Sequence, residues 1–103
     1  IGREEIFGPV LAAIDFVDVD EAIARANDSV YGLAAGVWTR DIKKAHYVAR
    51  KLQAGTVWIN TYNVYDTAAP FGGYKQSGFG REMSAHAIEH YTQVKSVWVD
   101  LNP

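Results

Sequence analysis

The sequence predicts an α/β fold in which strand, helix, strand, helix and strand follow one another. Two observations lead to it. Short apolar runs rich in small and β-branched residues recur at residues 10–16, 33–38 and 56–59, the pattern of strands buried on both faces. Between them, apolar residues return at three- and four-residue spacing behind an Asp or Thr able to cap a helix. Such alternation builds βαβ units in a parallel or mixed sheet.

The first strand, residues 10–16, follows Pro9. The first helix runs from Asp18 to Asn27, with Val19, Ala22, Ile23 and Ala26 as its apolar face and Asp18 and Glu21 in capping-box spacing. Asn27-Asp28-Ser29 ends it, and a strand around Gly36 covers residues 33–38. Thr39 or Asp41 caps the second helix, whose stripe is Ile42, Ala45, Ala49 and Leu52. Lys43, Lys44, Arg50 and Lys51 fall on or near its solvated side, and Arg50 and Lys51 suit the negative end of its dipole. Gly55 stops it, and Thr56-Val57-Trp58-Ile59 is the third strand.

From Asn60 to Glu82 the period disappears. A loop of this length is uncommon inside a domain and is usually functional. Tyr62, Tyr65, Phe71, Tyr74 and Phe79 make it too aromatic to be disordered, so it is expected to pack against something. A short helix at residues 84–91 and a last strand at residues 94–101 follow. That strand is partly apolar on both faces and carries Trp98 and Val99, unlike a protected edge. It is expected to join a sheet, in this chain or in a second copy.

Composition narrows the function. At 103 residues the chain has room for one small domain. It is 49% hydrophobic and 13% aromatic, which excludes a disordered chain. A net charge of −2 without long like-charged runs argues against nucleic-acid and membrane-surface partners. No apolar stretch reaches a membrane span and no secretory segment is seen, from which a cytoplasmic location is expected. With no cysteine there is no disulfide, thiolate metal site or cysteine nucleophile. The chain opens at Ile1 and its single methionine is Met83, so as written it is not expected to be a complete, unprocessed translation product.

Two phosphate-loop motifs fail in the glycine-rich run at residues 72–80. A Walker loop needs Lys and Ser or Thr after its second glycine, where Phe79 follows Gly78, and a dinucleotide fingerprint from Gly78 meets Met83. These glycines are expected to serve turns and close backbone approach. Glu82, His86 and His90 recur every four residues, but without the zincin order they read as an exposed helix face rather than a metal site. Glu5 and Phe7 precede Gly8-Pro9. In an extended segment they would point the same way, as a carboxylate for sugar hydroxyls beside a flat ring, or as a surface carboxylate and a core aromatic.

Four blocks then occur in order: Glu5-Ile6-Phe7-Gly8-Pro9-Val10; Asn27-x-Ser29-x-Tyr31-Gly32-Leu33-Ala34-Ala35; Ala54-Gly55-Thr56-Val57-Trp58-Ile59-Asn60; and Pro70-Phe71-Gly72-Gly73-Tyr74-Lys75-Gln76-Ser77-Gly78-x-Gly80-Arg81-Glu82. Together they resemble the C-terminal segment of the NAD(P)-dependent aldehyde dehydrogenases and cover nearly the whole chain. The resemblance implies that Glu5 hydrogen-bonds the ribose beside the nicotinamide of NAD or NADP and that Phe7 packs by the nicotinamide ring. It implies that Tyr65 and Phe71 contact the aldehyde's side chain, that Asn60 and the 72–80 run shape the tunnel loop, and that Glu82 belongs to a buried proton path. In betaine-aldehyde-type members, backbone carbonyls near Lys75 and Gly78 help hold potassium. Residues 94–101, Val94 to Leu101, match the family's assembly strand, so a homo-oligomer, dimer or tetramer, is implied.

The family's reaction attacks an aldehyde with a cysteine thiolate, passes hydride from the thiohemiacetal to the nicotinamide, and hydrolyses the thioester with an activated water. Nucleophile, general base, oxyanion-hole asparagine and cofactor domain lie upstream in that family. The expectation is therefore about the last fifth of the enzyme, inactive alone, with residues 1–82 belonging to the catalytic domain and residues 83–103 forming the helix and oligomerisation strand. The alternative is a non-catalytic α/β interaction module derived from the family and associating through its terminal strand.

Overall fold

Helix α1, Val19–Asn27, begins where its sequence signal lies. The Asp18 backbone is extended, and its carboxylate accepts the Glu21 N–H at 2.8 Å. Glu21 reaches back to the Val17 N–H at 2.8 Å and forward to Arg25 at 2.6 Å, so donors left free by the first helical turn find partners. This description rests on a computed structural model of residues 1–102.

Strand β1 (Tyr31–Gly32) and strand β2 (Ala34–Val37) follow, then helix α2 (Ile42–Lys51) and strand β3 (Thr56–Ile59). Asp41 caps α2 by accepting the Lys44 N–H at 3.0 Å, while Thr39 Oγ accepts the Asp41 N–H. β2 and β3 pair in parallel from Ala34 opposite Thr56 to Val37 opposite Ile59, so β2–α2–β3 is the predicted βαβ unit. Of the α2 stripe, Ala45 is 0% exposed, Ala49 and Leu52 are half-buried, and Ile42 faces solvent. Ala45, Ile23 and Trp58 are the buried apolar residues among those described.

The long loop is pinned back onto this unit. Strand β4, Tyr74–Lys75, pairs antiparallel with β1, and Phe71 bridges Glu82. Asn27 ties three parts together. Its amide donates to the Lys51 carbonyl and accepts from the Gln53 N–H, closing the end of α2, while its own carbonyl accepts Lys75 Nζ at 2.7 Å. Helix α3, His86–Tyr91, starts two residues later than expected and has no side-chain cap.

The two segments expected as strands at residues 10–16 and 94–101 are not paired within this chain. Residues 10–16 and 94–101 enter no ladder and are exposed throughout. A strand exists only through hydrogen bonds to a neighbour, and neither segment has one among the described residues. The chain is accordingly drawn out, 75 × 32 × 22 Å with a radius of gyration of 19.4 Å, where a compact chain of this length measures about 13 Å. Among the described residues, no helix is long and apolar enough to cross a membrane.

A pH dependence follows from the α1 cap. The Val17 N–H first, and then Arg25, hold the Glu21 carboxyl below its ordinary range. A carboxyl whose folded value is depressed stabilises the fold above its unfolded value, and loses that contribution as pH falls through the folded one. Urea midpoints should therefore drop more steeply below about pH 4.3 in the parent than in Glu21→Gln. Parallel profiles for the two proteins would remove this role.

Candidate functional site

The site is built around the arm from Phe71 to Glu82. Phe71 and Glu82 exchange both backbone hydrogen bonds, at 2.9 and 2.7 Å, which closes the arm into a loop. Arg81 braces it from within. Its guanidinium donates to the carbonyls of Gly73 and Gly80 at 2.9 and 2.7 Å and lies over the Tyr74 ring, 5.4 Å from the centroid. The Arg81 N–H donates to His90 Nε2 at 3.2 Å, so that ring nitrogen serves as an acceptor. Gly80, at φ +79°, lies so close to the His90 ring that a Cβ would meet it at 2.7 Å.

Leu33, Phe71, Glu82, Met83, His90 and Tyr91 are among the residues around an open cleft of about 700 Å³ on this arm. A second cleft, of about 460 Å³, lies between the N-terminal segment and the loop. Glu5 lines it with Arg3, Ser29, Tyr31, Gln76 and Ser77. Leu33 and Ser77 border both clefts, so the Glu5 region and the Phe71–Glu82 region adjoin.

The expected site residues fall into three groups. Tyr65 and Phe71 meet edge to face, with centroids 5.2 Å apart at 83°, and Phe71 is joined to Glu82 by backbone. Glu5 and Phe7 stand apart from that cleft. Glu5 is exposed, and Phe7 is 92% exposed at φ +52°, so its ring is not a core aromatic in this chain. Lys75 and Gly78 form a turn in which the Lys75 carbonyl accepts the Gly78 N–H at 3.4 Å. The Glu82 side chain lines the first cleft and is exposed. No group of three or more metal-ligating side chains gathers among the described residues, and His90 Nε2 is already engaged by Arg81.

Sequence reasoning missed two residues that organise the site. Arg81 was legible only as a motif letter, because the carbonyls it holds converge after the loop has closed. Trp58 looked like any strand aromatic. In the structure it is 7% exposed, donates Nε1–H to the Val64 carbonyl at 2.8 Å, and packs on Tyr62 at 4.8 Å and Tyr65 at 5.5 Å. The spacing of aromatics at 58, 62 and 65 was the available signal.

Chemically, this arrangement can shape a pocket, present a carboxylate and present flat rings. A sequence without cysteine offers no thiolate for covalent catalysis, and the Arg81 guanidinium is spent on carbonyls.

The sequence model of the aldehyde dehydrogenase family matches residues 1–97. The chain is 67% identical over 101 residues to DhaS of Bacillus subtilis, covering 98% of this chain and 20% of that protein. It is 57% identical over 103 residues to a betaine aldehyde dehydrogenase of Rhizobium etli, covering 100% and 21%. An NAD+ complex of an aldehyde dehydrogenase from Bacillus cereus superposes with a TM-score of 0.89 at 62% identity, over 97% of this chain and 20% of that one. An indole-3-acetaldehyde dehydrogenase from P. syringae, in complex with NAD+ and IAA, superposes at 0.88 with 56% identity, over 96% and 20%. The chain thus spans about a fifth of the length of the curated relatives it matches.

Proposed function

The chain belongs to the aldehyde dehydrogenase family, and from that premise we propose that it is the C-terminal portion of an enzyme oxidising aldehydes to carboxylic acids with NAD. The observation that carries this reading is the junction of the two clefts. The Glu5 carboxylate lines one cleft and the Phe71 ring and Glu82 line the other, with Leu33 and Ser77 bordering both. The nucleophile belongs to the remaining four-fifths of such an enzyme.

Glu5 and Phe7 suit the ribose and nicotinamide end of the cofactor. The Glu5 carboxylate is open to accept from hydroxyls, and the Phe7 ring is uncovered. NAD supplies the hydride acceptor, in keeping with the NAD+-bound relatives. Tyr65 and Phe71 form the aldehyde-facing wall. Glu82 serves a proton path once the rest of the enzyme covers it, and the carbonyls near Lys75 and Gly78 offer a place for potassium. Residues 1–82 complete the catalytic domain. Residues 83–103 supply a helix and a strand, 94–101, that pairs with a second copy; the exposure of Val94, Trp98 and Leu101 supports this. A cytoplasmic setting, where thiolates stay reduced, suits the chemistry. Relatives named for betaine aldehyde and for indole-3-acetaldehyde are 57% and 56% identical, so overall identity does not select the aldehyde.

The test is Glu5→Gln in the whole enzyme. It removes the charge while keeping an acceptor, so hydride transfer should slow about ten-fold and cofactor KM should rise, the scale of one charge-assisted hydrogen bond. Steady-state rates at varied NAD read both effects, and unchanged values would take Glu5 out of the cofactor site.

A further inference from the structure

Every residue from 61 to 70 is exposed, so this half of the long loop has no buried anchor of its own. Its anchor comes from β3. Trp58 grips the loop at three successive points, through its ring on Tyr62, its N–H on the Val64 carbonyl and its ring on Tyr65 at 89°. Tyr65 passes that constraint to Phe71. Gly36, opposite Trp58 in the β2–β3 register, leaves the space into which Trp38 and Tyr62 fit. A Cβ there would meet the Trp38 ring at 2.7 Å and Tyr62 Cδ2 at 3.2 Å.

We propose that Trp58 is a positioning residue that sets discrimination between aldehydes by their side chain, because it fixes where the Tyr65–Phe71 wall stands. This rests on the reading of that wall as aldehyde-facing. An edge-to-face pair holds a ring's angle as well as its place. Loosening Trp58 therefore blurs the wall for a flat, bulky side chain and leaves an aldehyde too small to reach it unaffected.

The test compares the whole enzyme with Trp58→Phe, Trp58→Leu and Gly36→Ala, using benzaldehyde and acetaldehyde at saturating NAD. Trp58→Leu removes both ring packing and the hydrogen bond, so benzaldehyde KM should rise about ten-fold; Trp58→Phe keeps a ring and should rise about three-fold. Gly36→Ala pushes Tyr62 with Trp58 intact and should move benzaldehyde KM in the same direction. Acetaldehyde and NAD KM, and kcat, should stay within about two-fold. If Trp58→Leu does not fold, the other two variants carry the comparison. Equal shifts for both aldehydes and NAD, or no shift, would overturn the proposal while the enzyme reading stands. A parent enzyme that oxidises no aldehyde would overturn both.

Discussion

Gly55→Ala is expected to cost the whole protein about 3 kcal/mol or more, the upper end of what overpacking does and a large part of a typical total stability. A methyl on residue 55 would land on the Gly72 carbonyl oxygen, with the Gly72 carbonyl carbon at 2.7 Å and Gly73 Cα at 3.4 Å. All three are backbone atoms and cannot swing aside. Gly55 also donates its N–H to the Gly32 carbonyl at 3.1 Å, one step before the β2–β3 ladder begins. Relief would therefore have to come from separating β3 from the Phe71–Glu82 arm. Crowding is the whole cause, since Gly55 is not among the residues with positive φ. Gly8→Ala is the matched control, because nothing lies within 4 Å of a Cβ there. Urea denaturation of the two variants should show a fall in midpoint of about 1 M or more for the first and almost none for the second. Equal midpoints would mean that strand and arm are not in contact.

The polypeptide of these 103 residues, mixed with NAD and an aldehyde, is expected to form no reduced cofactor above the buffer background. Hydride leaves an aldehyde carbon readily only after a nucleophile has made it tetrahedral. The sequence contains no cysteine. In the cleft, His90 Nε2 already accepts the Arg81 N–H, and Glu82 is a solvent-exposed carboxylate. Absorbance of reduced nicotinamide, followed at polypeptide concentrations matching a saturating amount of the whole enzyme, reads the result. Turnover proportional to polypeptide would show that the covalent step does not need the missing thiolate.

Both outcomes depend on features of unequal legibility. The α1 cap was readable as Asp18 followed by Glu21, because the capping hydrogen bonds join residues three or four apart. Thr56–Ile59 was readable to the residue as a β-branched run between a glycine and an asparagine. The packing of the 60–82 loop was legible as an excess of aromatics, though its partner, Trp58, was not. Glu5, Phe7, Tyr65, Phe71 and Glu82 became candidates through a four-block resemblance, while Arg81 stayed hidden inside one block. The apolar runs at residues 10–16 and 94–101 find no partner strand within this chain for one reason: such runs report a wish to be covered, and only a neighbouring strand, in this chain or in a second copy, turns that into a ladder.

What is local in this protein was legible from residues alone: the capped starts of α1 and α2, the βαβ alternation, the family and the lack of a thiolate. Each depends on residue identity or on hydrogen bonds a few positions long. The remaining features depend on contacts between distant parts of the chain. Gly55 touches the Gly72 carbonyl 17 residues away in the chain, Asn27 closes a helix 24 residues on, and Trp58 orders residues 61–70, all of them exposed. Those contacts have no spacing rule, because they come from which surfaces meet once the chain has folded.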